Sequence, residues 1–508
     1  MTPLRTTCGS SRTTVACPTR TPATSVIALD KPAGNRPIPA LKSRNLAINT
    51  ALRGERYLEA YRLVIDDSAE HQLSSVFYRA RGHLPTAVSA SGSWVTDSDG
   101  KQYLDAAGGA IVVGIGHGVE EIAETIAAQT ATLAYVHGSS FTTEPLEAYA
   151  SALATVVPMD GARVFPVSGG SEAMETALKM ARAYHLGKNR PERTVIIARG
   201  SSYHGNTRGA LDVSGRVSLR RPYEPWLGQT RRVPGVNEYR CPNPDHPSGC
   251  TEWHASRLQE AIDEEGAHRV VAFVAEPIGG AASGVAVPSD GYWDRIAEIC
   301  RDNDILIIAD EVMTGFGRTG EWFASDHFGL RPDLLVAAKG ASSGYWPLGL
   351  AISSGVVHDT IVAGGGLVHG FTWSHHPVGA SVGLAVLDRI RKLRLVDRAR
   401  VQGKRLFDGL RSALADHPRV GDVRGIGLLA CVELVEDRET QEPFPRSAQV
   451  TESVLQRAKE NGLLLYPSTG NVDGTSGDYL LIGPPLTIID DEVDLIVDRI
   501  SSALRGLK

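Results

Sequence analysis

An α/β chain is predicted, with a large, doubly wound, mostly parallel sheet domain and a smaller α+β domain assembled from the N- and C-terminal segments. Between about residues 160 and 380, five short strand-like runs alternate with helix-period segments. Two of those runs, Ile305–Ala309 and Leu334–Ala338, are apolar throughout, as strands buried on both faces are. Glycine is abundant, 53 of 508 residues, which suits many tight strand-to-helix turns.

In chain order, residues 1–44 are rich in Ser, Thr, Pro and Arg, with Asp30 their only acid, so an unstructured extension is expected. That composition resembles an organelle transit peptide, but the segment lacks an amphipathic apolar face. Residues 45–115 are assigned to the small domain. Tyr57, Leu58, Tyr61 and Val64 predict a helix over Arg56–Ile65, and Asp99-Gly100 predicts a hairpin turn within Trp94–Asp105. The glycine-rich Ala106–Gly118 is expected to wrap a pocket, and Glu120–Thr132 and Pro145–Val156 to form helices.

The large domain is placed at 116–380. Its predicted strands are Arg163–Val167, Thr194–Ala198, Val270–Ala275, Ile305–Ala309 and Leu334–Ala338, with helices over Glu172–His185, His254–Glu265 and Tyr292–Asp302. Residues 381–508 return to the small domain. Helices are predicted at Ser381–Arg391, Arg398–Asp416, Gln449–Asn461 and Asp490–Leu507, and one strand in GIGLLACVELV. No internal repeat is visible.

Composition excludes several classes. A net charge of −6 gives no basic footprint for nucleic acid. No run of about 18 apolar residues offers a membrane span. The six scattered cysteines form no disulfide framework, and a cytoplasmic, reducing setting is expected.

Chemistry concentrates at predicted strand ends. Asp310 follows one apolar run and Lys339 the other. Ligands of parallel sheets bind beyond the carboxyl ends of the strands, so the two can face one pocket. An amine for a Schiff base and a carboxylate for a pyridinium nitrogen are what pyridoxal 5'-phosphate (PLP) requires. Ser168–Ala173 (SGGSEA) opens a helix after a strand and suits an anion. Tyr203, in Ser202–Gly205, can stack on a ring; His204 suits hydrogen bonding, and Glu276 shares the sheet edge. Gly315–Gly320 is a literal G-x-G-x-x-G, yet Asp310 and Glu311 separate it from its strand and no long apolar helix begins at Gly320. A nucleotide-dependent dehydrogenase is therefore the remote alternative. Cys241, His246, Cys250 and His254, spaced 5, 4 and 4 apart, are of zinc-ligand type, but the spacing matches no common finger. A surface insertion without metal is expected there.

The ordered motifs GGSEA, SYHG, AEPI, ADEVMTGFGRTG, AAKGASSGYWPLG, HGFTWSHHP and DVRGIGLL resemble those of the class III PLP-dependent aminotransferases, the ω-aminotransferase family of PLP fold type I. The likeness runs from about Gly92 to the C-terminus. It implies an amine or amino-acid donor, a 2-oxo acid acceptor (pyruvate by preference), a ping-pong cycle, and a homodimer or tetramer. It implies that Lys339 forms the aldimine with PLP and shuttles the proton, and that Asp310 holds the ring nitrogen. Val312 and Tyr203 would flank the ring. Gly170 and Ser171 would bind the phosphate through their amides, joined by Thr372 from a partner subunit. Glu276 would stand near the ring hydroxyl and Arg424 would pair with a substrate carboxylate. Three positions depart from the commoner pattern. The phosphate loop has one hydroxyl fewer, and Met313 replaces a glutamine. Ile111 stands where some amine transaminases carry a pocket tryptophan. An aminomutase, racemase or decarboxylase of the same family is the nearer alternative.

Overall fold

A computed structural model describes residues 75–79, 84–228 and 230–507. Every sheet among the described residues belongs to the unit Pro85–Lys508. The expected extension 1–44 and helix Arg56–Ile65 lie outside the described residues.

The central sheet has seven strands, in the order Arg163–Val167, Gly349–Ser353, Leu334–Ala337, Leu306–Asp310, Val270–Ala275, Val195–Arg199, Arg231–Val233. All are parallel except Gly349–Ser353, which runs antiparallel to both neighbours. The five predicted strands are present. The two that sequence reading did not single out are Arg231–Val233, charged and on the edge, and Gly349–Ser353, whose first residue is a glycine. That glycine is a packing requirement, because a Cβ at Gly349 would lie 2.3 Å from the Gly169 carbonyl oxygen.

Alternation along each central strand explains the apolar runs. Val274, Ile308, Val336 and Ala351 meet Ala173, Met174 and Ala177 of the helix Gly170–Gly187 in one core. Phe273, Ala275 and Ile307 point the other way, onto Leu258, Ile262, Trp293 and Ile296 of the helices Cys250–Glu265 and Tyr292–Asp302. Each face is covered by helices, so successive residues must all be apolar.

Two four-stranded sheets complete the unit. One joins Ala87–Ser91, Trp94–Asp97 and Gln102–Asp105 to Leu463–Leu464, which pairs parallel with the last of them. The other is antiparallel, ordered Val420–Ile426, Leu429–Leu434, Asp478–Ile482, Tyr466–Thr469. The single strand expected in GIGLLACVELV is thus the turn and second arm of a hairpin. Gly427, at φ +58°, turns the chain back so that Ile426 faces Leu429. No described helix is long and apolar enough to cross a membrane.

Beside the strand end at Asp310, Glu311 is a structural pin. Its carboxylate, fully buried, accepts from Ser325 N (2.7 Å), Ser325 Oγ (2.7 Å) and Ala324 N (2.9 Å), and from the Thr314 hydroxyl. Glu311→Gln turns an amide donor toward one of these donors. It is expected to lower stability by about 2–4 kcal/mol, read as a fall in Tm by calorimetry.

Candidate active site

Five of the parallel strands end at one edge of the central sheet, and the residues at or just beyond their carboxyl ends line a common cavity of about 430 Å³. Its walls include Gly170, Ser171, Tyr203, His204, Glu276, Asp310, Val312, Met313 and Lys339. The crevice beyond the carboxyl ends of parallel strands is where such folds bind ligands.

The floor is a helix start of the kind that suits an anion. The helix Gly170–Gly187 begins after Gly169 with no side chain capping its first amides. Glu172 instead bends back to accept from Ser168 N (3.0 Å) and Ser168 Oγ (2.6 Å). The Gly170 and Ser171 amides therefore face the cavity with the positive end of an 18-residue helix behind them. Gly170 leaves little room for a side chain, since a Cβ there would lie 3.2 Å from both Val312 methyls, which would have to yield by a few tenths of an ångström. Ser171 Oγ accepts from Asn206 N (3.0 Å), tying the floor to the loop that carries Tyr203 and His204.

A buried acid–imidazole pair stands at the far wall. Asp310 Oδ2 accepts from His204 Nδ1 at 2.6 Å, and Oδ1 accepts from Val312 N at 3.0 Å. Because a carboxylate only accepts, this contact places the proton of His204 on Nδ1. His204 Nε2 is buried with no hydrogen-bond partner among the described residues.

Glu276 is a second buried acid. Its Oε1 accepts from Gly280 N (3.2 Å), while Oε2 has no partner among the described residues. Burial, reinforced by the charge of Asp310, pushes its pKa up to about 7, against His204 and Arg199. Lys339 comes two residues after the strand Leu334–Ala337 with a left-handed backbone, φ +41°. Such a conformation costs a non-glycine residue of order 1–3 kcal/mol and recurs at functional sites. Burial pulls the Lys339 ammonium down to about 8, and Asp310 and Glu276 oppose that shift. The cavity thus holds an amine able to be neutral near physiological pH, beside two acids.

Three candidate residues lie away from the lining. Thr372 is exposed, and its carbonyl accepts from the Tyr135 hydroxyl at 2.8 Å. Ile111 is buried against Ile278, Val285 and Tyr479, and its neighbour Val112 takes the place on the cavity wall. Arg424 is turned aside: it donates to Glu433 (2.6 Å), Asp422 (2.9 Å) and the Gly284 carbonyl (2.6 Å), and lies over the Tyr479 ring. Gly315–Gly320 forms turns with no helix at its end, and the buried Arg318 guanidinium donates to the carbonyls of Leu428 and Pro484. No nucleotide fingerprint is present there.

Trp346 and Pro347, within AAKGASSGYWPLG, also line the cavity, and no local signal sets them apart in that motif. Arg216, half-buried, lies within electrostatic reach of Tyr466 and Tyr203, with Nε unpartnered among the described residues. No spacing rule separates Arg216 from the other arginines around it.

Residues 78–504 match the family model Aminotransferase class-III. The chain is 37% identical over 425 residues to an uncharacterized aminotransferase, YodT, of Bacillus subtilis (strain 168), covering 84% of this chain and 96% of that one. It is 35% identical to the putrescine–pyruvate aminotransferase of Pseudomonas aeruginosa, over 81% of this chain and 88% of the relative. Among solved structures, an omega transaminase from Pseudomonas jessenii in complex with PMP superposes with a TM-score of 0.81 at 31% identity, over 87% of this chain and 98% of that chain.

Proposed function

The chain belongs to the class III aminotransferase family and transfers amino groups, and from that premise we propose that it moves the amino group of an amine or amino acid to pyruvate in a ping-pong cycle, with PLP held covalently by Lys339. The observation that carries this reading is the convergence of Lys339, Asp310 and Glu276 from three strand ends on one cavity above an uncapped helix start.

The residues fit the cofactor on which this family depends. The Gly170 and Ser171 amides would hold its phosphate. Tyr203 and Val312 would bracket its ring, and Asp310, fixed by His204, would hold the proton on the ring nitrogen. Glu276 would stand at the ring hydroxyl, where its raised proton affinity suits sharing a proton. When bound, PLP supplies an electron sink that lets the donor's Cα–H bond break. Lys339 Nζ, whose pKa lowered to about 8 makes the neutral amine accessible near physiological pH, would be the base in reach to take that proton and return it. Arg424 serves a substrate carboxylate by leaving Glu433 and Asp422, while an amine without a carboxylate binds with Arg424 turned aside.

Met313 on the cavity wall offers no hydrogen-bond donor, and the likeness to a putrescine–pyruvate aminotransferase supports pyruvate as acceptor. We read 116–380 as the cofactor domain and 85–115 with 381–508 as the small domain. The pairing of Leu463–Leu464 with Gln102–Asp105 supports that division. We read the active unit as a homodimer in which Thr372 of one copy completes the phosphate site of the other. The exposed Val368, Trp373 and Phe141 support a covered face there. The free thiols of Cys241, Cys250, Cys300 and Cys431 suit a cytoplasmic setting.

A panel of amines assayed with pyruvate and with 2-oxoglutarate tests the reading. At least about tenfold higher kcat/KM with pyruvate is expected, a difference of about 1.4 kcal/mol. A preference for 2-oxoglutarate would overturn the acceptor. Donor isomerisation or carbon dioxide release without a new amino acid would overturn the reaction type.

A further inference from the structure

The insertion after the edge strand Arg231–Val233 brings together four side chains that the active site does not use. Cys241 Sγ stands 3.4 Å from Cys250 Sγ and 3.4 Å from His254 Nε2, and His246 Nδ1 stands 3.1 Å from Cys250 Sγ. The donors of Cys241, His246 and Cys250 all lie within 4.8 Å of one another. No other group of three or more His, Cys, Asp or Glu side chains among the described residues converges in this way.

Thiols are poor hydrogen-bond donors, so two half-buried or buried sulfurs facing each other gain little on their own. A shared cation changes that balance. A tetrahedral zinc ion with S and N ligands sets its donors about 3.3–3.8 Å apart. Three of the six ligand–ligand contacts, at 3.1–3.4 Å, come within a few tenths of an ångström of those edges; His254 stands against Cys241 but outside the group of three that lies within 4.8 Å. Local structure explains the convergence. Cys250 and His254 lie one turn apart on the helix Cys250–Glu265 and so share a face. Cys241 follows the short turn Glu238–Arg240, and His246 comes from the loop between. Asn243 Nδ2 donates to Cys250 Sγ at 3.6 Å, the kind of outer contact that steadies a thiolate ligand.

We propose that Cys241, His246, Cys250 and His254 bind one zinc ion, which staples this loop to the start of the helix Cys250–Glu265. The absence of a familiar finger spacing is then no objection, because the ligands are set by one loop and one helix turn. The staple also has a neighbour of consequence. Arg240, next to Cys241, pairs with the buried Glu433, which also holds Arg424, and donates to the Gln441 carbonyl at 3.0 Å. The zinc loop therefore anchors one side of the acid that parks the carboxylate-seeking arginine.

The test uses the full chain, expressed with added zinc and passed through metal-free buffer. Elemental analysis should give about one zinc per chain in the wild type and below about one-tenth in Cys241→Ser and His246→Ala. His246 is exposed, so its variant folds even if a cysteine variant does not. Replacement by cobalt should give the intense near-ultraviolet band of thiolate ligation, lost in Cys241→Ser. Wild-type protein that retains less than about one-tenth of an equivalent after zinc loading would overturn the proposal. Equal zinc retention in the wild type and in His246→Ala would do the same. So would a Cys241–Cys250 disulfide in protein isolated without air.

Discussion

Lys339→Ala is expected to lower kcat/KM for every donor by at least about 10⁴-fold, because in the proposed mechanism one amine both anchors the cofactor and moves the proton. In the wild type, borohydride should fix the cofactor on the peptide that carries Lys339, and the variant should give no such adduct. A variant within about tenfold of the wild type would remove Lys339 from the mechanism. Misfolding does not explain the expected loss, and the sign of the pKa shift shows why. Burial lowers the folded-state pKa from the usual 10.5 to about 8, so the unfolded chain binds more protons between those values. Stability therefore rises with pH across that window, and at pH 7 the buried amine is a cost to the fold. The cofactor-free alanine variant should melt no lower than the cofactor-free wild type. The same shift predicts that amine-reactive labelling of Lys339 in cofactor-free protein increases with pH and levels off above about 8, where an ordinary lysine would keep rising toward its higher pKa.

Much of this site is legible in the sequence because a doubly wound sheet has a strict grammar. Buried strands such as Ile305–Ala309 must be apolar on both faces, so the first charged residue after each marks the sheet edge. Asp310 and Lys339 are found in this way. The fold does not tell Asp310 from Glu311 by pattern alone, because they are adjacent and both acidic. Only geometry does so. Asp310, the last residue of its strand, faces the cavity, while Glu311 turns into a cage of backbone and hydroxyl donors. Short elements are the other blind spot. Arg231–Val233 reads as charged loop because an edge strand needs only one covered face, and Gly349–Ser353 reads as loop because its opening glycine answers to a distant neighbour, Gly169.

Two features depend on contacts far apart in sequence and carry no local signal. Arg424 has the expected place in its motif, yet its partners Glu433 and Gly284 decide that it stands aside from the cavity. Ile111 lies in the expected glycine-rich segment, but a positive φ turns its side chain into the core and gives the wall to Val112. A one-residue shift in a glycine-rich loop cannot be read without the chain it packs against.

Asp310→Asn is the more informative substitution, because it keeps the shape and removes the charge together with the acceptor that faces His204. The asparagine oxygen can still accept from Val312 N, as Oδ1 does at 3.0 Å. What is lost is a carboxylate that accepts from His204 on one side and faces the cavity on the other. A fixed charge in a water-poor site is worth far more than the same charge in solvent. The expected loss is about 10²–10³-fold in kcat, or about 3–4 kcal/mol, with a small change in KM for the amine. In the proposed mechanism His204 acts through Asp310, as a positioning residue. Its 2.6 Å contact holds the carboxylate in place, and its Nε2 has no partner of its own among the described residues. His204→Ala should therefore cost less, about tenfold. The double variant should be no slower than Asp310→Asn alone, since once the charge is gone there is nothing left for the imidazole to hold. Independent effects that multiply would show that His204 reaches the reacting atoms directly. An Asp310→Asn enzyme that kept more than about one-tenth of the wild-type kcat would mean that the ring nitrogen takes its proton from elsewhere.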